Sequence, residues 1–425
     1  MTFLGRGSVV GPGVTLGLSR AVRALAVPAA ALACLVVLGG CTSVSPVTPA
    51  APRTAFTDDA RPAAGLIRVV PGDRAEDVPA DARFEVRVPH GTLERVDVTE
   101  TQDGGQRPLA GRITPDGHTW RPTAQGRLGL AARYAVDVVA RDVSGHRAAR
   151  HTTFTTYVPE HRFIGYFTPE PNSTVGTGMI VSLGFNRPIT DRAAVERAIR
   201  VTSDPPAEIA AHWFGPTRLD FRPRTYWKPG TVVSLALRLR DVRGGEGVYG
   251  SQDKTVTFTV GRSQISTVDA ARHTMEVVRD GRTMATLPIT AGGPGNATYN
   301  GRMVISEKFD VTRMNGGTVG FGGEYDISDV PHAMRLTASG TFLHGNYWAR
   351  PGAFGTVNTS HGCIGLRDTQ GGSTSSPAGW FYDASLVGDV VEVVHSGERT
   401  VAPDNGLGGW NMSWEEWRAG SALGG

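Results

Sequence analysis

Cysteine is scarce in this chain, with three in 425 residues, at Cys34, Cys41 and Cys363. That number excludes a disulfide-stapled scaffold. It also argues against a cysteine-built zinc centre, because no Cys-x-x-Cys or His-Glu-x-x-His is present and Cys363 would need three further ligands. Excess charge is missing as well: 43 Lys+Arg stand against 40 Asp+Glu without a basic cluster, so nothing favours nucleic acid as a partner. An uninterrupted apolar run of full spanning length is lacking too, since the longest, Ala24 to Leu38, is short for a transmembrane helix. What is abundant is glycine and proline, 55 and 27 residues, which points to many turns and a β-rich architecture. A hydrophobic content of 40% with 20% charged residues suits folded material, and the length suits two to four domains.

Residues 1–40 read as a leader, with Arg6, Arg20 and Arg23 ahead of or at the edge of the apolar run. The run ends in Leu38-Gly39-Gly40-Cys41, which resembles a bacterial lipobox, and this implies a lipoprotein signal peptide with Cys41 as the lipidated first residue of the mature protein. A transmembrane anchor of similar length is the alternative. Either places the rest of the chain outside the cytoplasmic membrane, facing the cell wall. Removing the leader takes three arginines and no acid, leaving 40 residues of each sign. It also removes Cys34, so with Cys41 modified Cys363 becomes the single thiol of the mature domains. An unpaired cysteine in an oxidising compartment is a candidate for reactivity.

Residues 41–64, rich in Pro, Ala, Ser and Thr, read as a flexible tether. Residues 65–158 alternate apolar and polar side chains, as in Phe84-Glu-Val86-Arg-Val88 and Tyr134-Ala-Val136-Asp-Val138, which predicts strands with one buried face. Residues 159–262 repeat the scheme. Trp120-Arg-Pro answers to Phe221-Arg-Pro, Arg141-Asp-Val to Arg240-Asp-Val, and Thr153-Phe-Thr to Thr257-Phe-Thr, at offsets of 101, 99 and 104. Paired landmarks about one hundred residues apart predict two tandem Ig-like β-sandwiches. Asp191 to Arg200 has helical spacing and predicts a short inserted helix. Residues 263–395 predict a mixed β domain, opening on a hairpin whose turn is Asp280-Gly281. Within it Thr341–His344 reads as a strand delivering His344 at its end, and Asp389–Val394 as a short buried strand. Residues 396–425 form a short C-terminal subdomain, with Trp410, Trp414 and Trp417 on one face if the segment is helical throughout, expected to pack on the protein itself.

Cys363 lies in Thr359-Ser360-His361-Gly362-Cys363-Ile364-Gly365, two residues after His361 and 19 after His344. Thiolate formation needs a nearby base or positive charge, and cysteine with two histidines in a glycine-rich loop is the minimal form of that arrangement. A small buried thiol beside a structural histidine is the alternative.

The stretch His344 … Thr359-Ser-His-Gly-Cys363 resembles the signature of the L,D-transpeptidase (YkuD-like) family: His, a gap of about fourteen to seventeen residues, Ser or Thr, then His-Gly-Cys, an apolar residue and Asn. The order of leader, two Ig-like blocks, catalytic block and tail is similar to the actinobacterial lipoprotein members. One departure stands out, because Gly365 occupies the position of the family's Asn. The resemblance implies a cysteine acyltransferase that joins peptidoglycan stem peptides by 3→3 links through a thioester on Cys363, releasing D-Ala. The donor is a stem tetrapeptide and the acceptor a second stem's diamino acid. It implies His344 as general base and acid, His361 in a supporting role, the carbonyl of Gly345 orienting the imidazole, and the N–H of Gly362 facing the oxyanion. Tyr325, Ser339, Gly340, Trp348 and position 365 are the implied substrate contacts. No cofactor or metal is called for, and carbapenem-type β-lactams are the implied covalent inhibitors. Two other functions stay open on sequence grounds: hydrolysis of the same acyl-enzyme by an L,D-carboxypeptidase, and a non-catalytic wall-binding lipoprotein.

Overall fold

The computed structural model describes residues 66–123, 127–318 and 322–424. Cys41, the leader and the tether lie outside them. Among the described residues the chain is mainly β, as its composition predicts: two sandwich-like blocks precede a large mixed sheet.

In the first block a four-stranded sheet (Arg68–Val70, Glu85–Arg87, Thr119–Pro122, Gly111–Ile113) faces a five-stranded one running from Ala75–Val78 to Gly105–Pro108. The period-two pattern explains the packing. Along Arg133–Arg141 every second residue is buried, so Tyr134, Val136, Val138 and Ala140 face inward, and Phe84, Trp120 and Phe154 complete the core. The rings of Tyr134 and Phe154 stack at 4.8 Å, while Phe84 meets Trp120 edge-on at 5.4 Å.

The second block pairs the sheet Gly165–Thr168, Val181–Phe185, Arg218–Pro223, Ile209–Phe214 with the sheet Thr174–Val175, Asp253–Val260, Val232–Arg238, Ile199–Asp204. The inserted helix is shorter than its spacing predicts, covering Arg192–Arg197 with Asp191 capping the N–H of Ala194. Ile199 and Arg200 instead open a strand that pairs with Val232–Arg238, because from Ile199 onward the sequence alternates and a sheet edge is there to receive it.

The third block is a nine-stranded sheet with the spatial order Gly301–Val304, Val390–Val394, Gln264–Asp269, Thr274–Arg279, Arg282–Thr290, Ile364–Arg367, Phe342–Asn346, Asp326–Arg335, Glu307–Asn315. The Asp280-Gly281 turn has φ of 48° and 77°, the double left-handed conformation of a type I′ hairpin. Val390–Val394 lies in the sheet between two neighbours, one parallel and one antiparallel, which accounts for its burial. Phe342–Asn346 and Ile364–Arg367 also run parallel, with Leu343 opposite Ile364 and His344 opposite Gly365. That register sets His344 and the residues around Cys363 side by side. Helix Pro377–Ala384, with Pro377 in its first turn and Ser376 capping Gly379, buries Ala378 and Phe381 against the sheet.

The tail is not one continuous helix. A 3₁₀ turn over Gly408–Asn411 ends before Met412, and a separate helix, Trp414–Ala419, starts from a Ser413–Glu416 capping box. The three tryptophans nevertheless converge on one side chain of the second block. The Arg222 guanidinium, 2% exposed, lies 4.8, 5.3 and 4.6 Å from the ring centres of Trp410, Trp414 and Trp417. Burial lowers its pKa to about 10, and the indole faces and the carbonyls of Pro223, Met412 and Ser413 take the place of a carboxylate partner.

Two further contacts fix the second block against the third. Gly176 and Gly178 donate to the carbonyls of Val387 and Gly388 at 2.8 and 2.9 Å, an approach that a side chain at Gly176 would prevent. Buried Asp389 pairs with Arg262 at 2.7 Å, where the second block passes into the third.

Candidate active site

Cys363 sits at the mouth of the Ile364–Arg367 strand, in a loop pinned from behind. The Asn358 carboxamide accepts the N–H of Ala291 at 2.8 Å and donates to the Ala270 carbonyl at 2.8 Å. Thr290 Oγ1 donates to the Val357 carbonyl and accepts the Thr359 N–H. Ser360 donates its N–H to Ala291 and accepts that of Gly293, closing an isolated bridge to the neighbouring loop. These bonds brace the glycine-rich loop that carries the nucleophile.

Period two places Phe342, His344 and Asn346 on one face of their strand and Cys363, Gly365 and Arg367 on the matching face of the next. That face opens into a cavity of about 230 Å³ lined by His344, Asn346, Trp348, Cys363, Tyr325 and His361, with Met314, Ile327 and Ala349 among its apolar walls. The Cys363 Sγ accepts the Phe342 N–H at 3.4 Å and points its own hydrogen toward the Gly340 carbonyl at 3.6 Å. Burial pushes the thiol up to about 11. In the resting protein it is therefore a neutral thiol, and a base must take its proton as it reacts.

His344 can serve as that base. Its ring is 3% exposed, and Nδ1 lies 2.9 Å from the Gly345 carbonyl. A carbonyl only accepts, so Nδ1 carries the hydrogen and Nε2 keeps its lone pair for the cavity. Burial lowers the imidazole pKa, with the Gly345 hydrogen bond opposing it, so His344 is neutral at neutral pH. Trp348, 43% exposed, stacks on the imidazole at 5.5 Å with planes 14° apart, covering one face of the ring.

His361 is held differently. Its Nε2 lies 2.9 Å from Glu324 Oε2, and its ring is 5.1 Å from that of Tyr325. With Nε2 turned to a carboxylate, it has a partner other than the thiol. Tyr325 lines the cavity, and burial pushes its phenol up to about 12, so it remains an O–H donor throughout the physiological range.

Three residues sit otherwise than the sequence suggests. The Gly362 N–H does not open onto the cavity: it donates to Ser360 Oγ at 3.2 Å, whose hydroxyl in turn donates to the Cys363 carbonyl at 2.6 Å. A serine two residues upstream competes for that donor, as Ser and Thr side chains do in turns. Ser339 is turned away as well, its N–H and Oγ both bonded to the Asn405 carboxamide at 2.9 and 2.8 Å. Gly340 supports the thiol through its carbonyl and does not line the cavity. The Ser339–Gly340 turn is braced from outside the sheet, because the second block's Arg218 donates to the carbonyls of Asp404 and Gly406 on either side of Asn405. Asn405, Glu324 and Asn346 are the members of this constellation that sequence reasoning missed. Only Asn346 had a local signal, two residues after His344 on the same strand face.

Two protein-family models match the chain. Residues 263–393 match the L,D-transpeptidase catalytic domain model, and residues 75–243 match a bacterial Ig domain model that runs across both sandwich blocks. L,D-transpeptidase 2 of Mycobacterium tuberculosis is 36% identical over 353 residues, which cover 82% of this chain and 83% of that protein. L,D-transpeptidase 5 of the same species is 30% identical over 377 residues, 87% of this chain and 80% of the relative. Among solved structures, an LD transpeptidase in complex with imipenem is 30% identical and covers 56% of this chain and 100% of that one, with a TM-score of 0.46. A relative of this identity aligned over more than four-fifths of both chains establishes kinship, and the chain belongs to the L,D-transpeptidase family.

Proposed function

We propose that this protein forms 3→3 cross-links between peptidoglycan stem peptides through a thioester on Cys363. The observation that carries the reading is the Nδ1-tethered His344, whose free nitrogen shares one cavity with the Cys363 thiol. His344 Nε2 takes the thiol proton as Sγ attacks the carbonyl of the donor stem's third residue. The tetrahedral intermediate collapses with cleavage of the C–N bond to D-Ala, whose nitrogen receives the proton from the imidazolium. The amine of a second stem's diamino acid then attacks the thioester, the C–S bond breaks, and the amine proton passes through His344 back to sulfur. A neutral resting pair suits this cycle, since thiol and imidazole begin and end uncharged.

Apolar walls at Met314, Ile327 and Ala349 limit water near the thioester and favour an amine acceptor over hydrolysis. With Gly362 engaged, oxyanion stabilisation falls to other donors at the cavity, among them the Tyr325 hydroxyl. Carbapenems, as strained acyl donors, are expected to acylate the same thiol. In the cell the protein is proposed to stand on the outer face of the cytoplasmic membrane, anchored through a lipid on Cys41.

Incubation of the purified protein with a disaccharide-tetrapeptide, followed by mass analysis of the products, tests the reading. A dimer lighter by one D-Ala is expected. Tripeptide alone would identify a carboxypeptidase, and unchanged substrate would leave a wall-binding role.

A further inference from the structure

The family signature carries an asparagine where this chain has Gly365. The space above that glycine is not empty. A Cβ placed on Gly365 would lie 3.1 Å from Asn346 Nδ2, 3.2 Å from Asn346 Cβ and 3.0 Å from Thr290 Cγ2. Gly365 stands opposite His344 on the parallel neighbour and opposite Thr290 on the antiparallel one, so side chains on both flanks close over it. The group that leans in is itself a carboxamide. Asn346 is 5% exposed and lines the cavity together with His344 and Cys363.

Its orientation is set. The Asn346 side-chain oxygen accepts the N–H of Ala349 at 2.9 Å, and only the oxygen can accept, so Nδ2 is the atom turned toward Gly365, in a residue that lines the cavity wall. Among the described residues no acceptor takes an Nδ2 hydrogen. A buried amide in a pocket wall, with its oxygen fixed and its donor end unclaimed, is prepared for an acceptor that arrives with the ligand.

We propose that Asn346 is a substrate-contacting, specificity-determining residue. Its Nδ2 donates to a peptide carbonyl oxygen of the acyl donor, and the carboxamide absent at position 365 is delivered from the neighbouring strand. Gly365 then complements Asn346, because a side chain at 365 would press on the Asn346 carboxamide more tightly than ordinary van der Waals contact and one of the two would have to give. This rests on the acyl-transfer reading above only for the identity of the ligand; the exchange of position is a statement about packing.

Four variants test it: Asn346→Ala; Gly365→Asn; Thr290→Ser; and a relocation variant combining all three, in which Thr290→Ser removes the crowding methyl but keeps the hydroxyl bonds. Cys363 acylation by a stem tetrapeptide, alkylation by iodoacetamide and the melting midpoint are measured for each. Asn346→Ala is expected to slow acylation about ten- to hundredfold, the loss of one hydrogen bond to a buried donor, with alkylation and midpoint near parental. Gly365→Asn is expected to melt below the parent. The relocation variant should recover both the midpoint and most of the acylation lost in Asn346→Ala.

Parental acylation by Asn346→Ala would overturn the proposal. So would a relocation variant that melts like the parent yet acylates no faster than Asn346→Ala. If the parent itself is not acylated, the acyl-transfer reading fails instead. The melting comparison then decides the positional exchange alone: a Gly365→Asn midpoint equal to the parent's would overturn it.

Discussion

His344→Ala slows acylation of Cys363 by about a hundred- to ten-thousandfold, the range a positioned general base contributes, whereas His361→Ala is expected to remain within about tenfold of the parent on the same scale. The difference follows from how each ring is held. His344 spends Nδ1 on the Gly345 carbonyl and keeps Nε2 for the cavity, while His361 turns Nε2 to Glu324. The thiol adds to the dependence. Because burial pushes Cys363 up to about 11, little thiolate exists at neutral pH and the base cannot be bypassed.

The same geometry gives the pH profile its sign. Burial holds His344 below the ordinary imidazole value of 6.5, so the neutral base persists into mildly acidic solution. Acylation should stay level from neutral pH down to that value and fall only below it, with no rise from thiolate formation until well into alkaline solution. Stopped-flow acylation rates across pH, for parent and both histidine variants, check this. A near-parental His344→Ala beside a dead His361→Ala would reverse the assignment.

Asp389→Ala is expected to destabilise the protein by about 3–5 kcal/mol, the usual consequence of leaving one member of a buried ion pair alone. Asp389 is 1% exposed and receives both Arg262 nitrogens, at 2.7 and 2.9 Å, together with the Leu386 N–H at 2.8 Å and the Gln264 amide at 3.3 Å. Burial pushes its carboxyl above the usual range, and Arg262 works against that shift. The direction is informative: desolvation outweighs attraction, so the pair gains little over an apolar alternative. Breaking it is nevertheless expensive, because an uncompensated charge stays behind. Arg262→Met should therefore be severe as well, and the double variant Asp389→Ala/Arg262→Met less damaging than the sum of the two. Urea unfolding of the three variants measures this. Additivity to within about 0.5 kcal/mol would show that the two groups are not coupled.

How much of this could be read in the chain depended on how local the cause was. Strands with one buried face announce themselves through alternation, and Tyr134, Val136 and Val138 lie where period two puts them. The Asp280-Gly281 hairpin was legible because a two-residue turn admits few residue pairs. The helix near Asp191 was legible in kind but not in extent, since Ile199 answers to Leu237 on a partner strand 38 residues later. The tail tryptophans have helical spacing, yet a break at Met412 and Ser413 divides the segment, and a buried arginine of the second block gathers the rings.

The site follows the same rule. Cys363 and His344 stand out because a nucleophile and its base are chemically distinctive. Gly345 could be anticipated because an imidazole needs an acceptor near its own backbone. A glycine N–H looks free in sequence, and only the fold shows that of Gly362 bonded to Ser360 Oγ. Asn405 was invisible because it lies 66 residues beyond the Ser339 it holds, with Arg218 behind it in another block. Asn346 escaped because an asparagine beside a motif looks ordinary until Gly365 is seen beneath it.

The central claim, that Cys363 carries the acyl group, is tested most directly by intact-protein and peptide mass after a single turnover with stem tetrapeptide and no acceptor. The account predicts an adduct equal to the tripeptide acyl group, with D-Ala released, located on Cys363 and absent from Cys363→Ala. Release of D-Ala without any adduct on Cys363, or with the adduct on another residue, would contradict it.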